Sequence, residues 1–283
     1  TAEALTLNGT GISTGGALIN SSANDVTYSG QILLGAASRI EANSGAINLS
    51  ATGTITGANR TLTLAGTSTG NNILASIIGT TSGGLTKAEA GTWTLSGSST
   101  YTGTTTISVG TLKLGATGGG TNTPLGTTGS GTSVTSGAAL DLNGYTLGTA
   151  EALTLNGTGI STGGALINSG ASATYSGLIT LGSASSIVSG TGDIIISNVS
   201  TITGATFGLT LDGATTGSSI ASIIGTTSGT LTKSGAGTWT LSGANTFTGK
   251  TTISDGTLSV SSLGDVVGGV ASNLGIPSSA ANG

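Results

Sequence analysis

Four acidic side chains have the type and spacing from which carbohydrate chemistry could be built. Asp193 and Asp212 form one pair along the chain, and Asp255 and Asp265 form a second. Glycoside hydrolysis needs two carboxyl groups about 5–9.5 Å apart. Adjacent turns of a repetitive β structure could bring Asp193 and Asp212 that close if one turn took about 20 residues. A polysaccharide lyase would also need a cation, and neither pair has an Arg or Lys suited to it. Asp212 and Asp255 each precede Gly, which is the chemistry of a tight turn. Asp193 and Asp212 have no acidic counterparts in the first half of the chain. Structural turn residues are the better account, so no catalytic residues are assigned. Gly190-Thr191-Gly192-Asp193 is similar to a calcium-binding glycine-rich nonapeptide, but it occurs once and lacks the tandem ligands such turns need. No metal or cofactor site is assigned.

Two other sets of side chains invite a functional reading. Trp93 and Trp239, with Tyr101 and Phe247 eight positions later, could form a sugar-stacking platform. Trp93 alternates with Thr92 and Thr94, however, and so shares a face with Leu95; packing in a core is the expectation. Thr-x-Thr pairs recur at Thr54/Thr56, Thr61/Thr63, Thr92/Thr94, Thr104/Thr106, Thr201/Thr203, Thr238/Thr240 and Thr246/Thr248. Two stacked ranks of Thr could order water as ice-binding surfaces do. Their irregular spacing, with Ser, Lys and Gly between them, points instead to an uncharged outward face.

Composition removes most other chemistry. The 283 residues include no Cys, His or Met, which excludes disulfides, thiol nucleophiles, imidazole bases and the usual zinc ligands. Six basic against 10 acidic residues give a net charge of −4 and no basic patch, so no nucleic-acid partner is expected. No apolar run is long enough for a transmembrane helix, and no membrane insertion by this segment is expected. There are 53 Gly and only 2 Pro, yet mean hydropathy is positive, unlike a disordered chain. The first residue is not Met and no signal peptide is visible, so the chain reads as a segment of a longer polypeptide. Acidity and the absence of cysteine fit an exported protein.

The elements that must position these residues are short strands. Leu5-Thr6-Leu7-Asn8-Gly9, Leu62-Thr63-Leu64-Ala65-Gly66, Thr92-Trp93-Thr94-Leu95-Ser96-Gly97 and Leu209-Thr210-Leu211-Asp212-Gly213 all alternate apolar with small polar residues and then break at a turn former. β-Branched Thr favours the same reading, and no window carries helical periodicity over three turns. The segment Thr1–Ser21 returns unchanged at Thr149–Ser169. Further matches, Trp93 with Trp239 among them, keep that offset to within two positions. The chain is thus two copies of one unit, 1–148 and 149–283, the second truncated. Similar strands start at Ser172, Ile194, Leu209, Leu231 and Thr251, a period of roughly 20 residues. A duplication is easily added to a quasi-one-dimensional stack, so an all-β parallel solenoid of roughly 14 coils is favoured over a two-domain β-sandwich. Its open ends would be its weak points and could stack end to end between chains.

The stretch Gly229 to Val260, GTLTKSGAGTWTLSGANTFTGKTTISDGTLSV, closely resembles the passenger-associated transport repeat of bacterial autotransporters. The first copy carries the same run at Gly84–Leu114, except that Ala88-Glu89-Ala90 stands where the second has Ser234-Gly235-Ala236; a solvent-exposed turn is expected there. Ala139-Leu140-Asp141-Leu142-Asn143-Gly144 is similar to linker modules of such proteins. The resemblance implies a right-handed parallel β-helix passenger at the surface of, or secreted from, a Gram-negative cell by type V secretion. It also implies a non-enzymatic stalk or adhesive shaft, with repeats that assist export through the outer membrane. The implied ligand is a host-cell, surface or polysaccharide target. A carbohydrate-binding or carbohydrate-processing β-helix and a self-stacking filament are the alternatives.

Overall fold

The computed structural model describes residues 3–264 and 269–277. It is all β, with parallel strands stacked as a solenoid of about 11 turns. The chain divides into two compact units, Thr1–Asp141 and Leu142–Gly283.

In the first unit, alternation turns apolar side chains into the bore and Thr outwards. One inward rank runs Ile40, Leu64, Lys87, Ile107, Val134 on successive turns. A second runs Leu49, Leu74, Leu95, Leu114, and Trp93 stacks with Leu112 and Leu140. All of these are buried. Each buried aliphatic side chain contributes about 1.5–3 kcal/mol, which offsets the ordering cost only because each turn covers its neighbour.

The second unit repeats the scheme. Ile187, Leu211, Lys233 and Ile253 form one inward rank. Tyr175, Ile196, Ile220, Leu241 and Val260 form another. Leu209, Leu231 and Thr251 stand directly above one another, as their spacing predicts. Ile194 does not join them: it pairs with Ala173 on a different ladder. Many turns are longer than the expected period. Leu5 pairs with Ile32 and Ser185 with Leu209, and the longer turns explain why about 11 are found where roughly 14 are expected.

Side chains brace the turns where backbone ladders lapse. Buried Asn72 accepts from Ile47 N–H at 2.9 Å and donates to Ser68 O at 2.9 Å and Thr92 O at 2.8 Å, so one amide links three successive turns. Asn168 does the same in the second unit, accepting from Gly144 N–H and donating to Ala171 O and Asp193 O. Such fully satisfied buried amides fix the register of the turns they join.

Candidate functional site: the caged lysines

The aromatic side chains are core. Trp93 and Trp239 are 0% exposed, and Tyr101 and Phe247 are buried as well. Each indole N–H donates to a backbone carbonyl on an earlier turn, Trp93 to Ala65 O at 2.9 Å and Trp239 to Asp212 O at 3.0 Å. The Tyr101 hydroxyl meets Thr105 Oγ1. None of the four rings offers a face to a sugar. Trp93→Phe should keep the packing but orphan the Ala65 carbonyl, weakening the strand Thr92–Leu95 by about 1–3 kcal/mol; hydrogen exchange of that strand reads the loss.

The carboxylates are not brought together as a stacked pair. Asp212 pairs with Val188 in the ladder below, while the Asp193 carboxylate accepts from Gly217 N–H at 2.8 Å. Asp212 accepts from its neighbour Gly213 N–H and from Ser234 Oγ at 2.8 Å. The turn that runs from Val188 to Asp212 is longer than the interval between the two aspartates, so Asp193 falls past the position beneath Asp212. A shallow open depression of about 430 Å³ lies against Asp193, between Gly170–Ser172 and Ala214–Thr216, and Asp212 does not line it. Asp255 accepts from Gly256 N–H at 2.7 Å in a turn; its partner Asp265 lies outside the described residues.

One rank of hydroxyls does stand in register: Thr63, Thr86, Thr106 and Ser133 follow one another on successive turns. The irregular turn length hid this order in the sequence. A second, adjoining rank fails, because Gly84 falls between Thr61 and Thr104, one residue before the paired Leu62, Leu85 and Thr105. The doubled lattice needed to template ice is therefore interrupted.

The most unusual side chains are ones that the motif readings pass over. Lys87 and Lys233 point into the bore, fully buried, within ranks that are otherwise aliphatic. Alternation places them there: in Leu85-Thr86-Lys87 and Leu231-Thr232-Lys233, the lysine shares the inward face with leucine. Period-two reading carried through the lysine would have found both. A buried ammonium needs partners for all three protons, and the turns provide them. Lys87 Nζ donates to Ala88 O at 2.9 Å, Glu89 O at 2.6 Å and Val109 O at 3.1 Å. Lys233 Nζ donates to Ser234 O at 2.6 Å, Gly235 O at 2.6 Å and Asp255 O at 3.3 Å.

Glycine makes room for each cage. At Gly110 (φ +72°) a Cβ would lie 2.3 Å from Glu89 O and 2.7 Å from Lys87 Nζ. Its counterpart Gly256 (φ +66°) is crowded in the same way by Gly235 O and Lys233 Nζ. Burial pulls the Lys87 ammonium down to about 8, opposed by Glu89 and assisted by Arg39. At neutral pH it keeps its proton, so three donors meet three carbonyl acceptors. Lys233 is lowered by burial too, against the pull of Asp212 and Asp255.

The first cage carries an outer ion-paired layer, whereas the second is faced by the carboxylates of Asp212 and Asp255. Arg39 Nε pairs with Glu41 Oε2 at 2.8 Å, and its Nη2 meets Glu89 Oε1. Glu89 Oε2 also accepts from Gly66 N–H at 3.0 Å. The expected exposure of this turn is corrected in part: the Glu89 side chain is 37% exposed, but both its oxygens are engaged. Glu89 sits at φ +61° where the second copy has Gly235 at φ +70°. An L residue in that region is strained, and the bonds to Arg39 and Gly66 offset the strain.

The passenger-associated-transport-repeat family model matches residues 85–114 and 231–260. No curated protein and no solved structure matches the chain. Each matched segment begins two positions before its buried lysine and ends on the strand that follows the cage's glycine. The chain carries two passenger-associated transport repeats, set in a parallel β-solenoid and each closed around a caged lysine.

Proposed function

We propose that this chain is a non-catalytic stalk segment of an autotransporter-type passenger, displayed outside a Gram-negative cell, whose repeats assist folding-coupled export. The observation that carries this reading is how much of each unit's core the two matched repeats supply. Their strands give Lys87, Trp93, Leu95, Ile107 and Leu112 to the buried ranks of the first unit, and Lys233, Trp239 and Leu241 to those of the second. A segment in which both tryptophans and the buried leucines and isoleucines serve stacking is suited to spacing an adhesive region away from the cell. The outward rank of Thr and Ser is suited to a hydrated, inert flank, and a host-cell or polysaccharide ligand would be met elsewhere on the parent protein. The test places this chain between a secretion signal and an outer-membrane barrel, with an epitope at its amino end. The expected result is an epitope accessible to antibody on intact cells, followed by a chain resistant to added protease. An epitope held in the periplasm, or a fully protease-sensitive chain at the surface, would count against the stalk.

A further inference from the structure

Each lysine cage is built from two successive turns, and the second of them comes later in the chain. For Lys87 the acceptors Ala88 O and Glu89 O are local, but Val109 O lies 22 residues further on. For Lys233 the third acceptor, Asp255 O, is again 22 residues later. The later turn also contributes Gly110 or Gly256, whose missing Cβ lets the cage wall close on the ammonium. It further supplies Ile107 or Ile253, the next member of the lysine's own inward rank.

Until that later turn is laid down, the ammonium has two carbonyls, an open ladder edge and no apolar cover. A cation is buried only with its partners in place, so the lysine of an unfinished repeat stays hydrated. We propose that Lys87 and Lys233 are folding latches: the first turn of each transport repeat completes its core only when the second turn of the same repeat docks. The latch ties the two turns of each repeat together, and makes the whole repeat the smallest unit that closes. The charged groups facing the two lysines differ, Glu89 and Arg39 in one case and Asp212 and Asp255 in the other. The carbonyl cage and the glycine are common to both, so the latch belongs to the repeat and not to its local charges. Its use in export rests on the stalk reading, because a chain that emerges gradually would commit one repeat at a time. The latch itself is a property of the fold.

The test is amine acylation of the whole chain with an N-hydroxysuccinimide ester, read residue by residue by mass spectrometry and paired with hydrogen exchange. In the unsubstituted chain, Lys87 and Lys233 should react at least ~100-fold more slowly than exposed Lys250, since both need local opening to react. Gly256→Val drives a side chain into Gly235 O and Gly237 O, and should strip amide protection from Thr251–Val260. Lys233 should then react within a few-fold of Lys250, while Lys87 stays protected as an internal control. A Lys233 that remains unreactive while Thr251–Val260 is unprotected would overturn the latch. If Gly256→Val exposes Lys87 as well, Lys233→Met decides. It keeps the apolar fill of the rank and removes the ammonium, and the latch then requires protection across Thr257–Val260 to fall at least ~10-fold. Unchanged protection there would overturn it. Failure of surface display with both lysines still latched would reject the stalk alone.

Discussion

Leu241→Asp should melt the last turns of the second unit while the first unit keeps its protection. Leu241 is 1% exposed and stands in the rank Tyr175, Ile196, Ile220, Leu241, Val260, with apolar side chains directly before and after it. Replacing it removes about 2–5 kcal/mol of packing. Leaving a carboxylate between Ile220 and Val260 adds the cost of an unpaired buried charge, about 3–5 kcal/mol by the measure of broken ion pairs. No single turn has that much stability of its own, because a stack is held by nearest-neighbour terms. The loss should therefore be local: amide protection falls across Ser218–Ile220, Thr238–Leu241 and Thr257–Val260, and Leu62–Ala65 is unaffected. If folding outside the cell draws the chain across the envelope, the same variant should stall display of whatever remains to be exported. Full protection of Ser218–Ile220 in the variant would mean that the rank is not continuous there. Unchanged display by a locally melted variant would separate folding from export.

The strands and the role of the aromatics were legible because they depend on alternation alone. Trp93 lies between Thr92 and Thr94, and nothing beyond that triplet is needed to send it inwards. Turn length was not legible, since it depends on which residues stack, and loops such as 8–17 add residues without adding strands to the ladders. The pairing of Arg39 with Glu89 spans 50 residues and two turns, so only the register brings the two together. The duplicated segment, Thr1–Ser21 and its copy Thr149–Ser169, separates the two kinds of information. Ser13 and Thr14 take φ of 51° and 63°, and Ser161 and Thr162 take 48° and 66°, so identical sequence gives closely matching local backbone. Burial does not follow: Glu3 is exposed and Glu151 is 0% exposed, Leu18 is half-buried and Leu166 is 0% exposed. Conformation is written in the segment, whereas burial is set by what stacks against it. For the candidate site the balance was similar. The inward face of Lys87 and Lys233 could be read from Leu-Thr-Lys, but the carbonyls that satisfy them come partly from a turn 22 residues away.

Gly66→Ala should be among the most damaging single-methyl substitutions in the first unit, and comparison with Gly9→Ala isolates the reason. Both glycines have positive φ, +108° at Gly66 and +93° at Gly9. Backbone strain at such a position costs an L residue about 1–3 kcal/mol, and at Gly9 that is the whole penalty, since a Cβ there meets nothing within 4 Å. At Gly66 the Cβ would lie 1.8 Å from Ala42 O and 2.6 Å from Ala42 N. Those atoms are backbone of the preceding turn and cannot rotate away, so one turn must lift from the other. The lift also breaks bonds made by Gly66 itself, whose N–H donates to Glu89 and whose carbonyl accepts from Gly91 N–H at 2.9 Å. Overpacking of this kind adds about 1–3 kcal/mol, and each lost buried hydrogen bond about 1 kcal/mol more. The expected total is roughly 4–8 kcal/mol for Gly66→Ala against roughly 1–3 kcal/mol for Gly9→Ala. Hydrogen exchange should show the difference as lost protection at Ser38–Ala42 and Leu62–Ala65 in the first variant only. Equal penalties at the two positions would show that the turns do not approach each other at Gly66 as closely as a stacked solenoid requires. The Arg39–Glu89 bridge, which spans the same turns, would then lose its support as well.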